Sequence, residues 1–396
     1  MKLNSKLLFA AAVFFASCQK ENITKQTPVP SGQDISEAMV QEGGNNPDEA
    51  MLNAGNRPSK GGYLYIESND SAGNAIVAYK QGTDGKLTWS STTSSGGKGA
   101  GKGLGSEGAL AINEGHTWLF AVNAGSNSVS SFKINNDGKL KLKHTVSSGG
   151  TLPVSVCVHN NLVYVVNSAS ADISGFTIGG DGSFTPVNGS HKSLSDITAG
   201  PAQIAFSPQG NSLLITEKAA NKIAIFTLDN NGSVMQTNYV DAVGTTPFGF
   251  DFSRNRFMIV SNASGGAVNA STCTSYMNLY DGATAVNGAV PNQQSAACWV
   301  ATTRFGRFAY VANAGSSNIT TYFVDANGAI YYLPWSVTAT GMGPIDLVVS
   351  EDNLYVYNIS SGDHTIREFK RSALGTLHPI GSVTSIPMAA AGIVAN

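Results

Sequence analysis

Gln203, Glu217, Lys218, Trp299 and Asp346 are the residues of this 396-residue chain whose types, taken together, could hold a polar ligand. An aromatic ring can stack, an amide can donate and accept, and mixed charges can orient a dipole. The set lacks a nucleophile with a base beside it, and Glu217 has no His to work with. Its chemistry is therefore recognition by stacking and hydrogen bonding rather than turnover.

Other stretches carry weaker outlines of chemistry. The segment SSGGKGAGKGLGSEG (94–108) contains Gly96 and then Gly101-Lys102, as a phosphate loop would. Gly103, however, stands where Ser or Thr is needed for Mg²⁺, and no helix follows, so the stretch reads as a flexible inter-strand loop. Asn123, Asn167, Asn262, Asn313 and Asn358 recur at the ends of apolar runs. There Asn bonds the backbone of its own turn, and they are read that way rather than as a ligand collar. His116 and His159 fall in turns, His144 and His191 in outer strands, His364 in a loop and His378 near the last hairpin. No two share an element at ligand spacing, so neither a metal nor a cofactor is expected. No Gly-x-Ser-x-Gly elbow appears in a strand-to-helix context. Tyr331, Tyr332 and Trp335 are read as outer-strand packing rather than a sugar platform.

The elements that must position these residues come from a repeat. An apolar run ending in a small polar residue recurs at 64–68, 119–123, 163–167, 213–217, 258–262, 309–313 and 354–358. Each is followed by a second alternating strand such as ISGF (173–176) or IAIF (223–226), the pattern of half-buried strands. Asp84-Gly85, Asp137-Gly138, Asp181-Gly182, Asn231-Gly232, Asn287-Gly288 and Asn327-Gly328 then supply hairpin turns, with Leu374-Gly375 as the degenerate last copy. A further strand, usually Pro-led, precedes each apolar run and starts at Ser106, Pro153, Pro201, Pro247, Ala297, Pro344 and Pro387, a step of about 47 residues. Four short strands per copy, seven times, predict an all-β, seven-bladed β-propeller. The final Pro-led strand has nothing after it and the first copy lacks one, so the C-terminal strand is predicted to complete the first blade and close the ring. The loops that open each Pro-led strand then share one face, which brings the five candidate residues to one mouth of the central channel.

The unit GPAQIAFSPQGNSLLITEK (200–218) resembles the blade of the seven-bladed lactonase family, which includes 6-phosphogluconolactonases and 3-carboxymuconate-cyclising enzymes, and of the related YVTN-repeat propellers. The resemblance runs from Tyr63 to Asn396. It implies an Arg, a His and a Glu crowding the channel mouth. Gly200 and Pro201 match that pattern, whereas Ala202, Gln203 and Lys218 stand at the three functional positions, leaving Glu217 as the catalytic candidate if the chain is a lactonase. Ala cannot hold a carboxylate and Gln cannot exchange a proton near neutral pH.

Residues 1–18 have the order of a lipoprotein signal: Lys2 and Lys6, a short apolar core, then Ala16-Ser17-Cys18, with Cys18 the lipidated residue. Residues 19–60 are poor in aromatic and β-branched residues and are expected to be a disordered tether, leaving 61–396 as the propeller. Lys plus Arg number 24 against 26 Asp plus Glu, and only 13% of residues are charged, which excludes a phosphate-tracking nucleic-acid binder and a polybasic membrane surface. Membrane association is expected through the lipid alone. Three cysteines remain after Cys18; Cys157 is expected as a buried free thiol and Cys273 with Cys298 as a disulfide across adjacent blades. The whole reads as a monomeric propeller, lipid-anchored at the cell envelope, with the outer membrane expected and the domain either periplasmic or surface-exposed. Its expected role is a non-catalytic scaffold for a small molecule, a glycan or an envelope protein; the alternative is a divergent lactonase acting on a sugar or carboxylate lactone.

Overall fold

Short alternating runs bury their apolar face only when another sheet covers it, and the repeat supplies that cover by stacking copies side by side. The computed structural model describes residues 61–396 together with Met39 and Ser59. It contains seven antiparallel sheets, each built on four strands; in the third, the outermost strand is split into Phe184–Pro186 and Lys192–Ser193. The innermost strands are Ala391–Ala395 for blade one, then Leu110–Ile112, Pro153–His159, Pro201–Phe206, Pro247–Ser253, Ala297–Thr302 and Pro344–Val349 for blades two to seven. Each touches the next around a closed ring. The C-terminal strand pairs with Gly62–Glu67, with Leu64 opposite Ala395 and Ile66 opposite Ile393, so the first blade is completed by the last strand of the chain.

The apolar clusters lie between neighbouring blades. Tyr65, Leu119 and Phe132 fill the first junction, and Phe257, Val311 and Tyr322 the junction of blades five and six. The hairpin turns lock these junctions. Gly328, at φ 84°, lies against the Phe257 ring, where a Cβ would come within 2.3 Å of a ring carbon. Buried hydroxyls repeat the device: Tyr65 donates to the Gly138 carbonyl at 2.8 Å and Tyr357 to that of Gly85 at 2.7 Å.

Three local expectations are corrected. Asn287-Gly288 is not the turn of blade five but lies inside the strand Thr284–Pro291. The chain reverses around Leu279 instead, whose carbonyl accepts from Ser212 of blade four at 2.7 Å, while Asn287 Nδ2 donates to the Ile330 carbonyl of blade six at 2.9 Å. The innermost strand of blade two begins at Leu110 rather than Ser106, because the preceding residues are drawn elsewhere. The stretch 94–108 is not a free loop: Asn69 holds it through the Ala100 amide at 2.7 Å and the Lys102 carbonyl at 2.7 Å.

The signal sequence, Cys18 and most of the expected tether lie outside the described residues. Two residues of that tether are described, and both are bound to the face opposite the channel mouth. The Met39 carbonyl accepts from Arg307 at 3.2 Å, and Ser59 Oγ donates to Asp352 while accepting from Gln81 at 3.0 Å.

Candidate functional site

Every innermost strand from blade three to blade seven carries a bulge two or three residues after its start, at Pro153/Ser155, Pro201/Gln203, Pro247/Phe250, Ala297/Trp299 and Ile345/Leu347. A bulge re-aims a side chain. Ser155, Gln203, Trp299 and Asp346 all sit at these irregularities, and Asp346 adopts φ 52° there.

Most of these polar groups fasten one blade to the next. Ser155 Oγ accepts from the Ile204 amide at 3.2 Å. Gln203 spends both ends of its amide on Phe250, accepting from its N–H at 2.6 Å and donating to its carbonyl at 2.9 Å. Asp251 accepts from the Thr302 amide at 2.7 Å and its hydroxyl at 2.9 Å. Asp346 accepts from the backbone of Leu347 and of Ile393, the latter in the closing strand.

The rest hold the tip of the glycine-rich stretch, which crosses the mouth. Lys218 Nζ donates to the Gly105 carbonyl and lies 5.1 Å from the Phe248 ring centroid; burial lowers its pKa from the usual ammonium value. Trp299 packs edge-on against Phe248 at 5.1 Å and donates from Nε1 to the Ser106 carbonyl at 2.9 Å. Ser106 Oγ donates to the Val154 carbonyl at 2.9 Å, and the Glu107 amide to that of Ala202 at 2.9 Å.

Glu107 was not singled out in the sequence and is a buried side chain of the site. One carboxyl oxygen lies where a side chain at Gly249 would begin, 1.7 Å from the position of a Cβ there. The Val300 amide donates to that oxygen at 3.4 Å. Burial raises the Glu107 pKa well above the usual carboxylate value, and the charges of Asp346 and Asp251 raise it further. Burial also raises Asp346 and Asp251. The available signal was Gly249 itself, a glycine in the column that elsewhere holds Ser, Gln, Trp and Asp.

Gln203, Lys218, Trp299 and Asp346 thus gather around the mouth, joined by Glu107 and Asp251. Glu217 does not. Its carboxylate is fully buried and turned toward the blade three to four connection, accepting from the Ser195 amide at 3.0 Å and from its hydroxyl. The pairing expected of Cys273 and Cys298 is also not formed, and both are free thiols, as is Cys157. Cys273 lies within the strand Thr272–Met277 and points into the cluster between blades five and six, whereas Cys298 points to the side of Phe248 and Ala202. The recurring Asn side chains are fully buried and bond mainly side chains of the following strand, such as Asn167 to Asp172 at 2.8 Å and Asn262 to Thr274 at 2.9 Å. Among the described residues no group of three or more His, Cys, Asp or Glu could hold a metal ion.

Residues 56–192 and 156–275 match the family model described as lactonase, 7-bladed beta-propeller. Solved structures agree in fold. A candidate 6-phosphogluconolactonase from Bacteroides uniformis aligns with a TM-score of 0.70 at 18% identity, covering 85% of this chain and 100% of the other. A periplasmic gluconolactonase from Pseudomonas aeruginosa aligns with 0.69 at 16% identity, covering 85% and 99%. A protein from Lactobacillus plantarum gives 0.71 at 16% identity over 85% and 99%. No curated protein matches the chain in sequence.

Proposed function

The chain belongs to the seven-bladed β-propeller lactonase family, and from that footing we propose that it is a non-catalytic member, an envelope or surface lipoprotein that binds a partner at its channel mouth. One observation carries this reading: the donors a lactone would need are already committed within the chain, Lys218 and Trp299 to the backbone of 105–106 and Gln203 to Phe250. Ala202 and Gln203 stand where the family's Arg and His are expected, and Ala202 is fully buried. A buried amide with both ends engaged neither accepts a proton nor releases one. The order of charges, apolar core and small residues before Cys18 supports the lipid anchor.

The purified chain should show no turnover of 6-phosphogluconolactone or of simple γ- and δ-lactones above a heat-killed control, while native mass spectrometry should detect a co-purifying or added ligand whose retention falls in Trp299→Ala. Lactone turnover above that control would overturn this reading and establish a divergent lactonase. The anchor is tested separately: a fatty-acid probe should label the wild type and not Cys18→Ala.

A further inference from the structure

Residues 105–108 lie in the mouth as a short bound peptide would, held chiefly through the main chain. The carbonyls of Gly105 and Ser106 accept from Lys218 and Trp299, and the Glu107 amide donates to Ala202. The Gly108 carbonyl accepts from the Val156 amide at 2.8 Å. The one side-chain donor of the segment is the Ser106 hydroxyl, on Val154. Blades three, four and six therefore read a bent backbone, with Gly105 at φ 62° and Gly108 at φ 75°, that carries one small hydroxyl-bearing residue.

The mismatched position is Glu107. Its carboxyl faces Asp251 of blade five and Asp346 of blade seven, with the Cys298 thiol of blade six nearby. Asp346 is only 4% exposed, and its Oδ2 has no hydrogen-bond partner among the described residues. The Lys218 ammonium is engaged on the Gly105 and Pro201 carbonyls.

We propose that the channel mouth is a peptide-recognition site occupied in cis by 105–108, and that in trans it takes a segment that bends in the same way, a small residue followed by Lys or Arg between two glycines. This rests on the reading of the mouth as a binding surface. A cation at the place of Glu107 meets two carboxylates where the glutamate meets like charge, and one Asp346 oxygen stands ready to accept from it. Glycine loses the most conformational freedom on ordering, and seven of the residues from 96 to 108 are glycine, so the cis hold is entropically weak and open to displacement.

The test uses the full chain with the synthetic peptides GLGSKGA and GLGSQGA. Displacement of the plug exposes the bond after Glu107 to endoproteinase Glu-C, for which neither peptide is a substrate. Saturating GLGSKGA should speed cleavage there severalfold, and fluorescein-labelled GLGSKGA should bind about tenfold or more tighter than GLGSQGA, the factor one charge-assisted hydrogen bond supplies. Asp346→Asn should bring the two affinities together. In the unplugged double variant Ser106→Ala/Glu107→Pro, shown folded by circular dichroism, both peptides should bind more tightly than to the wild type. Equal affinities for the two peptides, or an unaltered cleavage rate at saturation, would overturn the proposal. Failure of both peptides while another ligand is retained at the mouth removes the peptide class alone, whereas lactone turnover removes the underlying reading as well.

Discussion

The indole Nε1 of Trp299 donates to the carbonyl of Ser106 across 2.9 Å, joining the innermost strand of blade six to the segment that connects blade one to blade two. The bond crosses the central channel, so the ring is braced through its middle as well as around its circumference. Ser106 and Trp299 are both more than nine-tenths buried, and the pair is shielded from competing water.

Trp299→Phe keeps an aromatic ring against Phe248 and removes only the donor. The buried Ser106 carbonyl is then unsatisfied, at a cost of about 1–3 kcal/mol. Urea denaturation should register that loss, and amide exchange at 104–108 should quicken while exchange in the blades stays unchanged. Identical exchange in the two proteins would show that the bond does not hold the plug in solution.

Glu107 and Asp346 give a pH dependence of definite sign. Burial raises both above the ordinary carboxylate range, so the folded chain keeps protons that the unfolded chain releases at about pH 4. The folded state binds the extra protons, and stability therefore declines as pH climbs from about 4 through the raised folded values. Glu107→Gln is neutral at every pH and should recover the share of that decline that Glu107 contributes. A melting series should find the variant more stable than the wild type near neutrality and similar at about pH 4, where both carboxyls are protonated. A wild type whose stability rises over the same interval would contradict the buried carboxyl pair.

The ring was legible in the sequence because a repeat written seven times averages out local ambiguity, and because Pro153, Pro201, Pro247, Ala297 and Pro344 begin their strands where the spacing placed them. Asn287-Gly288 misled because turn chemistry is local, while the register of blade five is set by a bulge after Thr274. The site was half legible. Gln203, Trp299 and Asp346 share a column of the innermost strands, but what each touches depends on 94–108, a stretch whose glycines specify no conformation of their own. Glu217 was misplaced because its column ends a strand whose side chains alternate, and the carboxylate faces Ser195 rather than the channel.

The three thiols should be free and slow to react. Burial raises all of them, Cys298 to about 12 even with Lys218 nearby to lower it. The thiolate is the reactive form, so a thiol probe at about pH 8 should modify the native chain only as fast as it opens. Non-reducing peptide mapping should recover Cys273 and Cys298 separately; a linked peptide would restore the bridge.

Gly328→Ala tests the locking turn. The added methyl must displace the Phe257 ring and occupy φ 84°, which side-chain-bearing residues rarely adopt. A loss on the order of 2–4 kcal/mol follows from strain and repacking together. Gly73, with open space around it, is the control, and Gly73→Ala should change little. Equal melting temperatures for the two variants would show that the turn tolerates a side chain.

Removal of 391–396 tests closure of the ring. The strand Gly62–Glu67 would lose its inner partner, including the paired bonds between Tyr63 and Asn396 at 3.2 and 2.9 Å, and Asp346 would lose the Ile393 amide. An uncovered edge of backbone donors and acceptors invites pairing with another chain. The apolar side chains of Leu64 and Ile66, now 1% or less exposed, would also lose cover from Ile393. The truncated chain should therefore melt many degrees lower and elute as larger species in size-exclusion chromatography. Supplying the missing strand as a synthetic peptide of 387–396 should restore a monomeric elution volume, because an added strand satisfies the same edge. A truncated chain that stays monomeric and as stable as the parent would mean that blade one does not depend on the C-terminal strand.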